Sequence, residues 1–158
     1  MANTQSMCTS FLGELMTATH NFGVAPTRGT TAADTFKGAL YLTTATINAG
    51  TTAYTATGEV TGTNYTAGGV AVTNATPPAS TNTSTTAGTA YWTPSASLVY
   101  TTVTLTTAFD TVLIYNSTQS NKAVSVHTFG SQTVTAGTFT LTMPANTTTT
   151  ALLRLATT

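Results

Sequence analysis

Threonine occupies 45 of the 158 positions of this chain, and this supply of β-branched side chains limits the folds that it can adopt. β-branched residues lose rotamer freedom in a helix, whereas they pack well on the pleated surface of a sheet. Charged residues are scarce, at 5% of the chain against about 25% in an ordinary soluble domain. The composition therefore predicts a β-sheet protein with few side chains able to carry out chemistry.

The few charges exclude several classes of partner. The charged residues are Glu14, Arg28, Asp34, Lys37, Glu59, Asp110, Lys122 and Arg154. Four cations spread over most of the chain form no basic patch, so we expect neither nucleic-acid binding nor attachment to an anionic membrane. No apolar run approaches the roughly 18 residues of a membrane-spanning helix. The net charge of zero favours self-association and predicts a homo-oligomer.

The N-terminus and the composition together suggest where the protein works. Cys8 is the single cysteine, so the chain forms no internal disulfide and no thiolate zinc site. The first residues lack the positive and apolar regions of a secretory signal. A composition rich in Thr, Ser, Asn and Gly is nevertheless typical of extracellular β proteins. A virion component satisfies both observations, because it is made in the host cytoplasm and leaves by lysis.

Short apolar alternations separated by turn residues predict the fold. We expect a single β-rich domain over residues 1–158, with an N-terminal helix at 6–22 and an exposed, flexible loop at 76–89. Segments 97–107 and 109–116 predict separate strands, the second buried on both faces at 112–115, and a hairpin is expected around Ala136-Gly137. The fold class is therefore mainly all-β, an antiparallel sandwich or barrel of about seven to nine short strands with one helix.

The sequence offers no convincing catalytic constellation. His20 and His127 lie far apart and match no metal-ligand spacing. A serine triad through Asp110 and His127 remains an alternative, but the chain has no nucleophile-elbow motif. Glu59 lies in a glycine-rich turn, where its carboxylate could accept backbone N–H groups. We therefore expect no enzyme activity, no catalytic residues, no cofactor and no bound metal.

Four residues are candidates for an interface. Phe11 and Leu15 belong to the helical segment, which could dock on a partner or could equally cover a face of its own sheet. Tyr91 and Trp92 follow the 76–89 loop, and we expect this pair to form an exposed anchor, since Tyr and Trp are enriched at interfaces. Packing inside the protein is the alternative for each of them.

Three motifs in residues 36–69 resemble a known family. They are Phe-Lys-x-Ala-Leu-Tyr at 36–41, Tyr-Thr-x-Thr-Gly-Glu-Val at 54–60 and Gly-Thr-x-Tyr-Thr-x-Gly-Gly at 62–69. With 90–116, 134–146 and the Ala-Leu-Leu-Arg-Leu ending, they resemble tailed-bacteriophage capsid decoration, or cement, proteins and related minor virion structural proteins. The resemblance covers nearly the whole chain and implies no catalytic residues.

The resemblance implies a structural function. The protein would bind the outer face of the major capsid protein shell and stabilise it, and so would be located on the virion surface. A trimer is expected from the three-fold positions that such shells offer. The alternative is a receptor- or glycan-binding module of a phage tail or head fibre.

Overall fold

A computed structural model describes residues 3–16, 18–22, 33–81 and 88–156. Eight strands in two antiparallel sheets and one short helix make up the described elements, which confirms the mainly β, sandwich-like class. The elements are β1 Ser6–Met7, α1 Thr9–Met16, β2 Phe36–Leu42, β3 Val70–Val72, β4 Ala79–Ser80, β5 Thr89–Trp92, β6 Leu98–Asn116, β7 Lys122–Leu141 and β8 Leu153–Ala156.

The larger sheet has the strand order β1-β7-β6-β2-β3, and the smaller has the order β4-β5-β8. In the larger sheet β6 lies between β2 and β7, so its second half is covered by neighbours on both edges. Residues 111–116 are all buried, which confirms the expectation for 112–115. The apolar run of this segment therefore forms the centre of the core.

The two longest strands form a ribbon that bends back on itself. Phe129 and Phe139 lie ten residues apart on β7, a distance of about 33 Å along a straight strand. Their ring centroids are 5.4 Å apart, and both rings contact Phe109. The first half of β6 consequently covers β2. The Tyr100 hydroxyl of β6 donates a hydrogen bond of 2.8 Å to the carbonyl oxygen of Gly38 in β2.

The strand breaks expected from the sequence were wrong. Segments 97–107 and 109–116 belong to one strand, β6, and β7 continues through Ala136-Gly137 without a hairpin. The register instead shifts at several points along the β6–β7 pair. Ala136 has a φ of 47° at one of them, so a residue pair typical of a turn is used here in a β-bulge.

The helix is shorter than the predicted 6–22. Ser6 and Met7 pair with β7 as a strand, so the helix begins only at Thr9. It ends at Met16, well before the expected stop at Gly23. The Ala18 N–H bonds the Leu15 carbonyl and the Thr19 N–H bonds the Glu14 carbonyl, with Ala18 at a φ of 55°. This is the bonding pattern of a Schellman motif, formed here by alanine.

The predicted 76–89 loop contains a strand. Ala79 and Ser80 form β4 and pair with Tyr91 and Ala90 of β5. Residues 82–87 lie outside the described residues. The small sheet therefore begins inside the segment expected to be a loop.

Candidate interaction groove

The four interface candidates meet in one groove, although they lie about 80 residues apart in the sequence. The groove has a volume of about 100 Å³ and is lined by Phe11, Leu15, Phe22, Pro78, Ala90, Tyr91, Trp92, Leu153 and Leu155. The lining side chains are hydrocarbon apart from the Tyr91 hydroxyl and the Trp92 indole N–H. We call this surface the apolar groove.

Local structure explains why these residues share a surface. Phe11 and Leu15 are four residues apart on α1, so they lie on the same face of the helix. In the small sheet Trp92 pairs with Leu153, and Ala90 pairs with Leu155. Because side chains alternate along a strand, all four of these residues lie on one face of the sheet. The apolar groove is the space between that face and the helix.

Aromatic rings form the base of the groove. The Phe22 ring lies 4.4 Å from the ring of Phe36 and 4.6 Å from that of Trp92, measured between centroids. The Trp92 indole N–H donates a hydrogen bond of 3.0 Å to the Thr76 carbonyl oxygen. Trp92 is 2% exposed, so the expectation that it forms an exposed anchor was wrong. Its large ring packs in the core, and Trp92 lines the groove from there.

The rim of the groove is more open than its base. Leu155 is 40% exposed, and Leu15 and Tyr91 are partly buried, whereas Phe11 is buried. Of the four candidates, Leu15 is therefore available for contact in the groove, whereas Tyr91 pairs with Arg154 and its side chain belongs to the opposite face of the small sheet. The sequence interpretation missed Leu153 and Leu155. Their alternation with Arg154 could have identified them as one face of a strand.

A chain of polar side chains holds the helix beside the groove. Glu14 accepts hydrogen bonds of 2.5 Å from the Lys122 ammonium and 2.7 Å from His20 Nε2. His20 Nδ1 lies 3.1 Å from the amide nitrogen of Asn116, which also donates to Asp34 at 2.7 Å. Burial raises the pKa of Glu14, but the bonds and charges of Lys122 and His20 outweigh it and hold the pKa below its usual value. His20 and Glu14 thus have a structural role.

Glu59 forms the centre of a second buried cluster. Its carboxylate accepts hydrogen bonds from the Tyr54 hydroxyl at 2.7 Å, the Tyr65 hydroxyl at 2.8 Å and the Gly68 N–H at 2.7 Å. The expected acceptance of a backbone N–H is confirmed, whereas the two tyrosine donors were missed. Burial, followed by the bond and charge of Glu59, raises the pKa of Tyr54 to about 12, so this hydroxyl stays protonated and donates.

The alternative of a serine triad finds no support in the geometry. His127 Nε2 lies 2.8 Å from Ser125 Oγ, and burial lowers the pKa of His127 to about 4. Ser125 is 1% exposed, so its hydroxyl is closed to a substrate. Asp110 instead accepts hydrogen bonds from Asn3 at 2.9 Å and Thr111 at 2.8 Å. The Ser125–His127 pair therefore lacks an acidic third member among these contacts.

A wider and more polar cleft lies beside His127. It has a volume of about 700 Å³, and hydroxyl groups, an amide and one guanidinium share its lining with apolar side chains. The polar lining residues are Gln5, Thr89, His127, Thr148, Thr150 and Arg154. Arg154 donates a hydrogen bond of 2.6 Å to the Thr149 carbonyl oxygen. The cleft could form several weak hydrogen bonds to a polar ligand.

Comparisons of the chain with family models, with curated proteins and with solved structures found no match. Within the described residues, no helix is long and apolar enough to cross a membrane. The same residues contain no group of three or more His, Cys, Asp or Glu side chains placed to hold a metal ion.

Proposed function

We propose that this chain is a phage virion structural protein, a capsid decoration or cement protein that binds the outer face of the major capsid protein shell and stabilises it. The observation that supports the proposal most is the apolar groove, an open hydrocarbon surface on a body with almost no charge. A small apolar groove can receive an apolar side chain of a partner, as the anchor pockets of protein interfaces do. The motif resemblance in residues 36–69 supports the same function.

The polar groups of the described chain favour a structural protein over an enzyme. Glu14, Asp34, Glu59 and Asp110 all accept hydrogen bonds that connect separate parts of the fold. Groups used in this way fix the backbone and are not presented to a substrate. A protein that works by contact gains attachment strength from many copies, because several modest contacts on one particle sum to tight binding.

Co-sedimentation with shells that lack this subunit tests the proposal. We expect the purified protein to pellet with the shells and to saturate at a stoichiometry set by the shell lattice. Leu155→Asp should weaken binding at least about tenfold, since burying one leucine contributes about 1.5–3 kcal/mol and 1.4 kcal/mol is tenfold. Val99→Asp is the matched control, because Val99 is 42% exposed and lies outside the groove. Failure of the wild-type protein to bind shells would refute the function.

The polar cleft beside His127 favours the second candidate, a receptor- or glycan-binding module of a tail or head fibre. Its hydroxyl and amide groups suit weak hydrogen bonding to sugars. Location separates the two functions, because hundreds of copies over the head indicate cement whereas a few copies at the tail indicate adhesion. Glycan binding that is lost in Thr148→Val and unchanged in Leu155→Asp would favour the fibre module.

A further inference from the structure

One side of the β7 backbone has no strand partner over most of its length. β6 pairs with β7 from end to end, whereas β1 pairs with it only at Ser125 and Val126. Within the part of the chain that the structure describes, no strand or main-chain hydrogen bond reaches the other side of residues 128–141. An unpaired strand edge presents N–H and C=O groups that can pair with another chain.

Most of the devices that proteins use to block such edges are missing here. Residues 123–153 contain no Asp, Glu, Lys or Arg, and the first proline after Lys122 is Pro144. His127 is neutral near pH 7, because burial lowers its pKa to about 4. The bulge at Ala136 does interrupt the edge. A further register shift lies between Gly137 and Phe139, but its extra residue belongs to β6. The β7 backbone itself therefore continues through 137–141, which we call the free edge.

Side chains of the free edge lie at the margin of the core. Phe139 and Leu141 are partly buried and pack against the core, and the Phe139 ring lies 5.9 Å from that of Tyr100. Thr138 and Thr140 are exposed on the other face. A further strand along this edge would extend the sheet and cover the open sides of Phe139 and Leu141.

We propose that two copies of this chain pair antiparallel along residues 137–141, about a two-fold axis at Phe139. In this register Gly137 lies opposite Leu141 of the second copy, and Thr138 lies opposite its Thr140. A small residue then faces a large one, and paired threonines can hydrogen-bond across the strands. A second copy of the chain suits this edge as the partner strand, because its own edge is equally free of charge. Pairing the two edges therefore removes no charged group from water without giving it a partner. A two-fold contact uses the same patch on both subunits, as the free edge requires.

Sedimentation equilibrium over a range of concentrations tests this pairing, which does not depend on the proposed function. We expect wild-type protein to approach twice the chain mass of 16.1 kDa. Thr138→Lys/Thr140→Lys places lysines opposite lysines and should weaken dimerisation at least about tenfold, since like charges directly opposite are destabilising. Thr106→Lys/Thr107→Lys adds the same charge at exposed positions of β6 and should dimerise like the wild type.

Cysteines at the exposed positions of the free edge give a second measurement that does not depend on the stability of the lysine variant. Antiparallel partners have Cα atoms about 4.5–5.5 Å apart, within the range that a disulfide spans. Thr138→Cys/Thr140→Cys should therefore form a disulfide-linked dimer on mild oxidation, and Thr107→Cys should not. A monomeric or three-fold wild-type mass, unchanged dimerisation of the lysine edge variant, or absence of the cross-link in Thr138→Cys/Thr140→Cys would each overturn the proposal.

Discussion

Replacement of Glu59 by alanine should strongly destabilise the protein. Glu59 is 6% exposed, and its carboxylate receives three donors, from Tyr54, Tyr65 and Gly68. Alanine removes the carboxylate that accepts these hydrogen bonds, so the donors remain in the protein interior without that acceptor. An unsatisfied buried donor costs the full desolvation of that group, so the effect exceeds the net value of the bonds.

The size of the loss follows from the three bonds. Each hydrogen bond to a charged group contributes about 1.5–3 kcal/mol, which gives an upper range of about 4.5–9 kcal/mol for three. Tyr54 is partly exposed, so water can replace the acceptor there and the total is smaller. We expect a loss of about 4 kcal/mol, against a total stability of about 5–15 kcal/mol for a domain. Glu59→Ala should therefore be close to unfolding at 37 °C.

Urea unfolding followed by the fluorescence of Trp92 measures this change. Tyr54→Phe should lose about 1 kcal/mol, because it removes one donor near the surface. Tyr65→Phe should lose more, since the Tyr65 hydroxyl also accepts the Leu40 N–H at 3.0 Å. Asp110→Ala is the control, an acid that is only partly buried. A loss of less than about 1 kcal/mol in Glu59→Ala would refute the account of this cluster.

Three further predictions concern pH and backbone geometry. His127 has a folded pKa of about 4 against an ordinary 6.5, so it stabilises the fold above pH 6.5. This stability, at most about 3 kcal/mol, is lost as the pH falls towards 4. In His127→Gln the free energy of unfolding should therefore change less with pH over that interval. Glu14 has a lowered pKa, so its contribution is present above 4.5 and is lost in stronger acid, and Glu14→Gln should lose that part of the acid dependence. Gly69 has a φ of 73° and a Cβ there would overlap the Gly38 carbonyl oxygen, so Gly69→Ala should cost about 3 kcal/mol or more in thermal unfolding. Gly130→Ala, where a Cβ meets nothing within 4 Å, should change stability by less than about 1 kcal/mol.

Local patterns were sufficient for the fold class and the central strand. The alternation and β-branched content predicted a mainly β protein, and the apolar run at 112–115 predicted a strand buried on both faces. The glycine-rich turn around Glu59 predicted a carboxylate that accepts backbone N–H groups. Each of these depends on residues close in sequence, where periodicity and turn chemistry act directly.

The features missed from the sequence depend on contacts between distant residues. Ala136-Gly137 has the composition of a turn, but pairing with β6 converts it into a bulge and the strand continues. The apolar groove joins α1 to β8, whose register with β5 decides that Leu153 and Leu155 face the helix. Trp92 was expected at the surface, because nothing near it in sequence indicated that Phe22 and Phe36 would cover it.

Imaging of the intact particle at side-chain resolution tests the central claim most directly. The account predicts that this subunit lies on the outside of the head with its apolar groove facing the major capsid protein, and that an apolar side chain of the shell contacts Leu155. A subunit whose groove faces solvent, or one located away from the shell, would contradict it.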